Sequence, residues 1–179
     1  MTAQMHTLKL PGPMLWRGFW LYVWQVETPK GEMLYVGRTG DNSSPHATAP
    51  YTRMGQHLGF SKNQNALRRH LLGKGIQPED CAAFNLVAYG PLFREVEKRD
   101  GLSRSDLMDL HLPIRNTVGA LEKVLAEALK TSGYNVLNTV KWKHPYEPDG
   151  WEAVREAFGA RFPNLSVKAY ALSPAANVK

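Results

Sequence analysis

Apolar positions along this chain fall into two periods, and the first of them marks a hairpin. From Trp20 to Val26 the chain is mostly aromatic and β-branched, a composition that suits a pleated, half-buried surface. Thr28-Pro29-Lys30-Gly31 follows, with Pro presetting φ at the first corner and Gly tolerating positive φ at the end. Met33 to Gly37 returns as the second strand. An even-numbered loop pairs Thr28 with Gly31, Trp24 with Tyr35 and Tyr22 with Gly37, and opposed residues share a face. Tyr22 and Tyr35 then lie diagonally on one face, with Gly37 leaving space beside Tyr22. Two phenols beside a gap make either a site or half of a sandwich core.

The rest of the chain reads as helices around one more strand. Residues 1–17 carry Pro11-Gly12-Pro13 without periodicity and form an arm. The loop from Asp41 to Thr52 is long enough to be functional, or else a disordered insertion. Thr52 caps a helix with Arg53 in its first turn and His57 four residues on, on the same face. Gly55 and Gly59 weaken that helix, so tertiary contacts must hold it. A second helix over Gln64–Leu72 places Leu67 and Leu71 on one side. Ala82–Tyr89 is the third strand, ended by Gly90-Pro91. Phe93–Asp100 is charged and predicted helical, and Ser103 or Ser105 caps a short helix that Pro113 interrupts. Thr117–Lys130 is the clearest helix, with Val118, Leu121, Leu125, Ala128 and Leu129 in one stripe. Beyond Lys141 the chain is basic and aromatic. Asp149 caps a further helix carrying Trp151, Val154, Phe158 and Arg161, and Leu165–Leu172 is a short strand. The predicted class is α/β in layers: a small, mainly antiparallel three-stranded sheet flanked by helices over 18–140, with a C-terminal helical extension over 141–179.

Composition narrows the function. The chain has 179 residues, 43% of them hydrophobic and 21% charged, ordinary values for a globular protein. A formal charge of +6 leans towards a polyanionic partner. The single cysteine, Cys81, excludes an internal disulfide framework and a cysteine-rich zinc site. No apolar run approaches the roughly 18 residues of a spanning helix, and the start lacks a secretory pattern. The expected location is cytoplasmic, with no membrane partner.

Two acids on the clearest helix differ. At about 100° per residue, Glu127 points away from the apolar stripe, beside Lys123 and Lys130. Glu122 falls on the shoulder of the stripe, where side chains reach the sheet. A carboxylate there must be paired, hydrogen-bonded or bound to a cation. Arg68, Arg69 and Lys74 make the second helix basic, either to meet phosphates or as an ordinary solvated face.

Taken in order, these pieces resemble the GIY-YIG nuclease family from about Trp20 to Asn138. Leu21-Tyr22-Val23 stands for its first motif and Tyr35-Val36-Gly37 for its second. Arg53 and His57 match its Arg-x-x-x-His helix, Glu122 its single metal-binding Glu, and Asn135 the Asn that closes the site, with Asn138 as a rival. Trp20-Leu21 stands where the family name has Gly, the loop before Arg53 is longer than typical, and a charged insertion precedes the Glu helix. The resemblance implies a metal-dependent endonuclease that hydrolyses phosphodiester bonds in duplex or branched DNA, with RNA an open alternative. It implies one Mg²⁺ or Mn²⁺ on Glu122, and a water activated by Tyr22 or by His57, with Tyr35 assisting. Arg53 offers forked donors to a phosphate, and Gly37, Arg38, Arg68, Arg69 and Lys74 border the substrate. One site nicks one strand, so a double-strand cut implies a homodimer or two successive events. The competing class is a non-catalytic nucleic-acid-binding module on the same fold. A dinucleotide or phosphate-loop enzyme lacks its fingerprint here.

Overall fold

The computed structural model describes residues 3–98 and 100–167. Strand β1 (Phe19–Thr28) is the centre of a three-stranded antiparallel sheet, between β2 (Gly31–Arg38) and β3 (Ala83–Phe93). The hairpin register is the expected one: Thr28 faces Gly31, Trp24 faces Tyr35 and Tyr22 faces Gly37. Alternation along β1 feeds two cores. Phe19, Leu21 and Val23 pack with helix α3 (Arg104–Thr131) and helix α4 (Pro148–Gly159). Tyr22, Trp24 and Val26 join Tyr35 and the apolar side of α2 (Ala66–Gly73), which contributes Leu67 and Leu71. Burial on both faces explains why β1 reads as a continuous apolar run.

Several expectations change. Phe93–Asp100 is not helical: β3 runs on through Phe93, and residues 94–98 are irregular. Pro91 is accommodated where the pairing of β1 with β3 slips, between Phe19 and Leu21, the kind of irregularity that tolerates a proline in a sheet. Pro113 does not interrupt its helix; it lies inside the 28-residue α3. It sits on an exposed position, and so does Asp109, whose carbonyl loses its partner to the proline and can turn to water. Helix α1 (Pro50–Leu58) starts two residues before Thr52, with Pro50 in its first turn and Ala49 as N-cap. Pro148 does the same for α4, so Asp149 lies in the first turn and Glu147 takes the cap position.

Ser103 does cap α3, in a reciprocal capping box with Asp106. The chain over 164–167 is a short helix, α5 (Asn164–Val167), where a strand was expected from Leu165; the remainder of that expectation, 168–172, lies outside the described residues. Trp151, Val154, Phe158, Phe162 and Leu165 bury themselves in the α3 core, so the described part of the C-terminal extension packs on the domain. The loop from Asp41 is no loose insertion either. Pro45, Ala47 and Ala49 are buried, and α3 holds the loop through Arg104 Nη2 on the Ser43 carbonyl (2.7 Å) and the His111 ring on the Asp41 carbonyl (2.7 Å). No helix among the described residues is long and apolar enough to cross a membrane.

Candidate active site

Gly37 makes room for Tyr22. A Cβ at that position would lie 2.5 Å from the tyrosine ring, so the phenol passes over β2 only because glycine faces it. Its oxygen ends 2.6 Å from His57 Nε2 and 3.2 Å from the Arg38 carbonyl. His57 is buried on α1, and the Tyr35 ring meets it edge-on at 5.1 Å. His70 of α2 lies 5.6 Å from Tyr35 on the outer side.

The hydrogen bonds select a tautomer. His57 Nδ1 is buried without a partner. With the proton on Nε2, the imidazole donates to the phenol oxygen, the phenol donates to the Arg38 carbonyl, and the orphan atom is an acceptor. The other tautomer leaves a buried N–H unpaired, which costs more. Burial and the Arg53 charge push the imidazole down to about 3, so His57 is neutral at any working pH. Burial pushes Tyr22 up to about 12, against the pull of Arg53 and Arg38, and burial raises Tyr35 as well.

Arg38 joins this pair to the acid. Its carbonyl faces Tyr22, and its Nε lies 3.0 Å from Glu122 Oε2. The contact is an ion pair without hydrogen-bond alignment, since Arg38 Nε has no hydrogen-bond partner. Both side chains are nearly covered, 10% and 14% exposed. A guanidinium this close would by itself hold the carboxylate ionised at low pH, yet burial outweighs the pull of Arg38, Arg53 and Arg115 and raises Glu122 to about 7. Glu127 is the solvated residue the helical wheel describes: 53% exposed and 3.8 Å from Lys123 Nζ.

Arg53 is within electrostatic reach of Tyr22, Tyr35, His57 and Glu122. Its Nη1 donates to Gln56 Oε1 (2.8 Å) and lies 3.8 Å from Asp41 Oδ2, while its Nε is buried and unpaired. Tyr22, Tyr35, Gly37, Arg38, Arg53, His57 and Glu122 therefore come together. Asn135 does not bring its side chain: it is exposed, and its carbonyl accepts from Leu34 N (2.8 Å). Asn138 clamps β2 instead, its amide bonding both Val36 N (3.0 Å) and Val36 O (2.8 Å), between Tyr35 and Gly37. Arg68 is occupied elsewhere, paired with Glu79 and lying 4.3 Å over Phe60. Arg69 is exposed on the rim and acts on Tyr35 by its charge. Lys74 is exposed and receives Lys30 Nζ on its carbonyl.

Sequence reasoning missed Asp41, Gln56, Arg115 and Trp142. Arg115 was findable, because it stands seven residues before Glu122 on one helical face. Starting the helix at Thr117 hid it. Among the described residues no three His, Cys, Asp or Glu side chains gather as a metal cluster. No family model matches the chain, and no curated protein or solved structure matches it either.

Proposed function

We propose that the chain is a metal-dependent endonuclease of the GIY-YIG type that hydrolyses phosphodiester bonds in DNA. The observation that carries this reading is the 2.6 Å contact between the Tyr22 phenol and His57, joined through Arg38 to a nearly covered Glu122. Hydrolysis of a phosphodiester needs a group to take the proton of water, donors for the charge on the phosphate, and a way to hold the reacting water. Tyr22 is the group placed to take that proton, although burial raises its phenol to about 12 and its ionisation therefore depends on the positive charge around it. His57 donates to its oxygen, and both Arg38 and Arg53 pull its pKa down. Tyr35 packs against the imidazole and keeps the ring in place. Arg53 has its Nε unspent and can present a donor to a phosphate oxygen.

The donor set fits one hard divalent cation. Mg²⁺ keeps several waters and takes one or two carboxylates, and Glu122 would hold it once Arg38 leaves the carboxylate. When bound, the ion supplies positive charge that offsets the phosphate and lowers the pKa of its water and of Tyr22. Arg38, displaced from Glu122, is then free to meet the phosphate.

The same ion pair favours a second reading, a nucleic-acid-binding module in which Arg38 simply neutralises Glu122. A cleavage assay on supercoiled plasmid with Mg²⁺ or Mn²⁺ separates the two. Expected is nicking by the wild type, a loss of about 10²–10³-fold or more in Glu122→Gln, and retained cutting in Glu127→Gln. Failure of the wild type to cut duplex, branched or single-stranded DNA at any metal concentration would sink the hydrolytic reading and leave the binding module.

A further inference from the structure

The segment after α3 forms the wall of a groove of about 510 Å³ lined by Arg115, Lys141, Trp142, Lys143 and His144. Trp142 is fixed from three sides. Its Nε1 donates to the Asn116 carbonyl (3.0 Å), Lys123 Nζ reaches its own carbonyl (3.5 Å), and its ring rests on Gly119. A Cβ at Gly119 would come within 2.3 Å of that ring, so only glycine on α3 lets the indole lie this close. The guanidinium of Arg38 lies 4.9 Å from the ring centroid and that of Arg115 4.6 Å. The indole is thus a plate that holds two arginines by cation–π attraction, which occupies it as a stacking platform for bases.

The cations of the groove stand without direct ion-pair partners among the described residues. Among the described residues, no carboxylate pairs with Arg115, Lys141 or Lys143. Lys141 and Lys143 are exposed, and both line the same groove as Arg115. Arg38 belongs to both places, since it touches Glu122 and Trp142. Whatever lies along Lys143, Lys141 and Arg115 therefore continues to the acid. Several cations spread along a groove suit a chain of regularly spaced negative charges better than one small anion.

We propose that this groove holds the phosphodiester backbone of the nucleic-acid strand beside the scissile bond, gripping its phosphates without reading its bases. The proposal rests on the nuclease reading for what it lies beside, and on the groove itself for what it binds.

The test is binding by the full chain in EDTA, so that no cutting intervenes. Fluorescence anisotropy follows a labelled oligonucleotide, duplex and single-stranded, across a salt series. Lys141→Ala/Lys143→Ala is compared with Lys9→Ala/Lys130→Ala, which removes the same charge from exposed positions outside the groove. Each lost phosphate contact lowers the slope of log K against log salt by about 0.9 on duplex and about 0.7 on a single strand. The groove variant is expected to bind about tenfold more weakly at low salt, with the slope reduced by about two contacts, while the control keeps the wild-type slope. A groove variant no different from the control overturns the proposal. So does a wild type that binds no oligonucleotide, or that binds an acidic peptide in its place. Glu122→Gln, which frees Arg38 from its ion pair, is expected to keep the dependence of binding on Lys141 and Lys143 while losing cleavage. A wild type that shows the groove-dependent slope but never cuts defeats the hydrolytic reading and leaves the groove as a strand-binding site.

Discussion

At the scale of single residues, the buried ionisable groups make opposite demands on pH. Glu122 sits at about 7 in the folded chain, above its ordinary 4.5. Between those values the unfolded chain binds fewer protons at this site, so its contribution to stability falls as pH rises through that window. His57 works the other way: lowered from 6.5 to about 3, it contributes stability above 6.5 that is lost as pH falls towards 3. Urea midpoints of wild type and Glu122→Gln, compared at about pH 5 and about pH 8, isolate the acid's share. The variant is expected to gain relative to wild type at the higher pH. For cleavage, the acid limb of the rate profile should follow Glu122, whose carboxyl must lose its proton to hold a cation, and not His57. Arg38→Gln, which removes the nearest cation, should move that limb to higher pH; a limb that stays put would mean another group sets it. Tyr22→Phe leaves the ring in place over Gly37 but removes the oxygen that His57 and the Arg38 carbonyl share. The expected loss is about 10²–10⁴-fold in single-turnover rate, with at most about 1–3 kcal/mol of stability from the partners left unpaired.

At the scale of elements, two glycines set the distances between layers. Gly37→Ala forces a methyl into the Tyr22 ring, and Gly119→Ala forces one into the Trp142 ring. Overpacking of this kind costs about 1–3 kcal/mol. The two should differ in consequence: the first is expected to cut turnover, the second to loosen the basic segment and change the Trp142 fluorescence while leaving the Tyr22–His57 contact whole. The hairpin register was legible because a two-residue side-chain period and turn chemistry leave little freedom, and it placed Tyr22, Tyr35 and Gly37 correctly. Arg53 and His57 were legible as one helical turn, and Glu122 as the acid that fell off the solvent face. Local rules failed where tertiary contacts decide. Pro113 reads as a break, but on an exposed face its helix continues. Residues 94–98 read as helical from their charges, yet β3 extends and the chain leaves it without a turn. Neither Asp41 nor Trp142 carries a local signal, because each reaches the site through a contact made by a distant segment.

At the scale of the molecule, the sheet divides its labour. One face of β1 is sealed by α3 and α4, and the other carries the phenol, which meets the imidazole of α1 beside α2. Glu122 belongs to the sealed side and reaches the phenol through Arg38, the last residue of β2. A net charge of +6 means that cleavage should slow steeply with added salt even where the metal is saturating; a rate flat in salt would argue against phosphate contacts as the main source of affinity. Helix α3 spans about 42 Å at 1.5 Å per residue; it grips the 41–49 loop in its N-terminal third and carries the acid beyond its midpoint. It works as a strut, delivering Asp41 and Glu122 to the candidate site as one prefabricated piece. Sensitive positions in a mutational scan should therefore include Arg104 and His111, side chains that no substrate need ever touch.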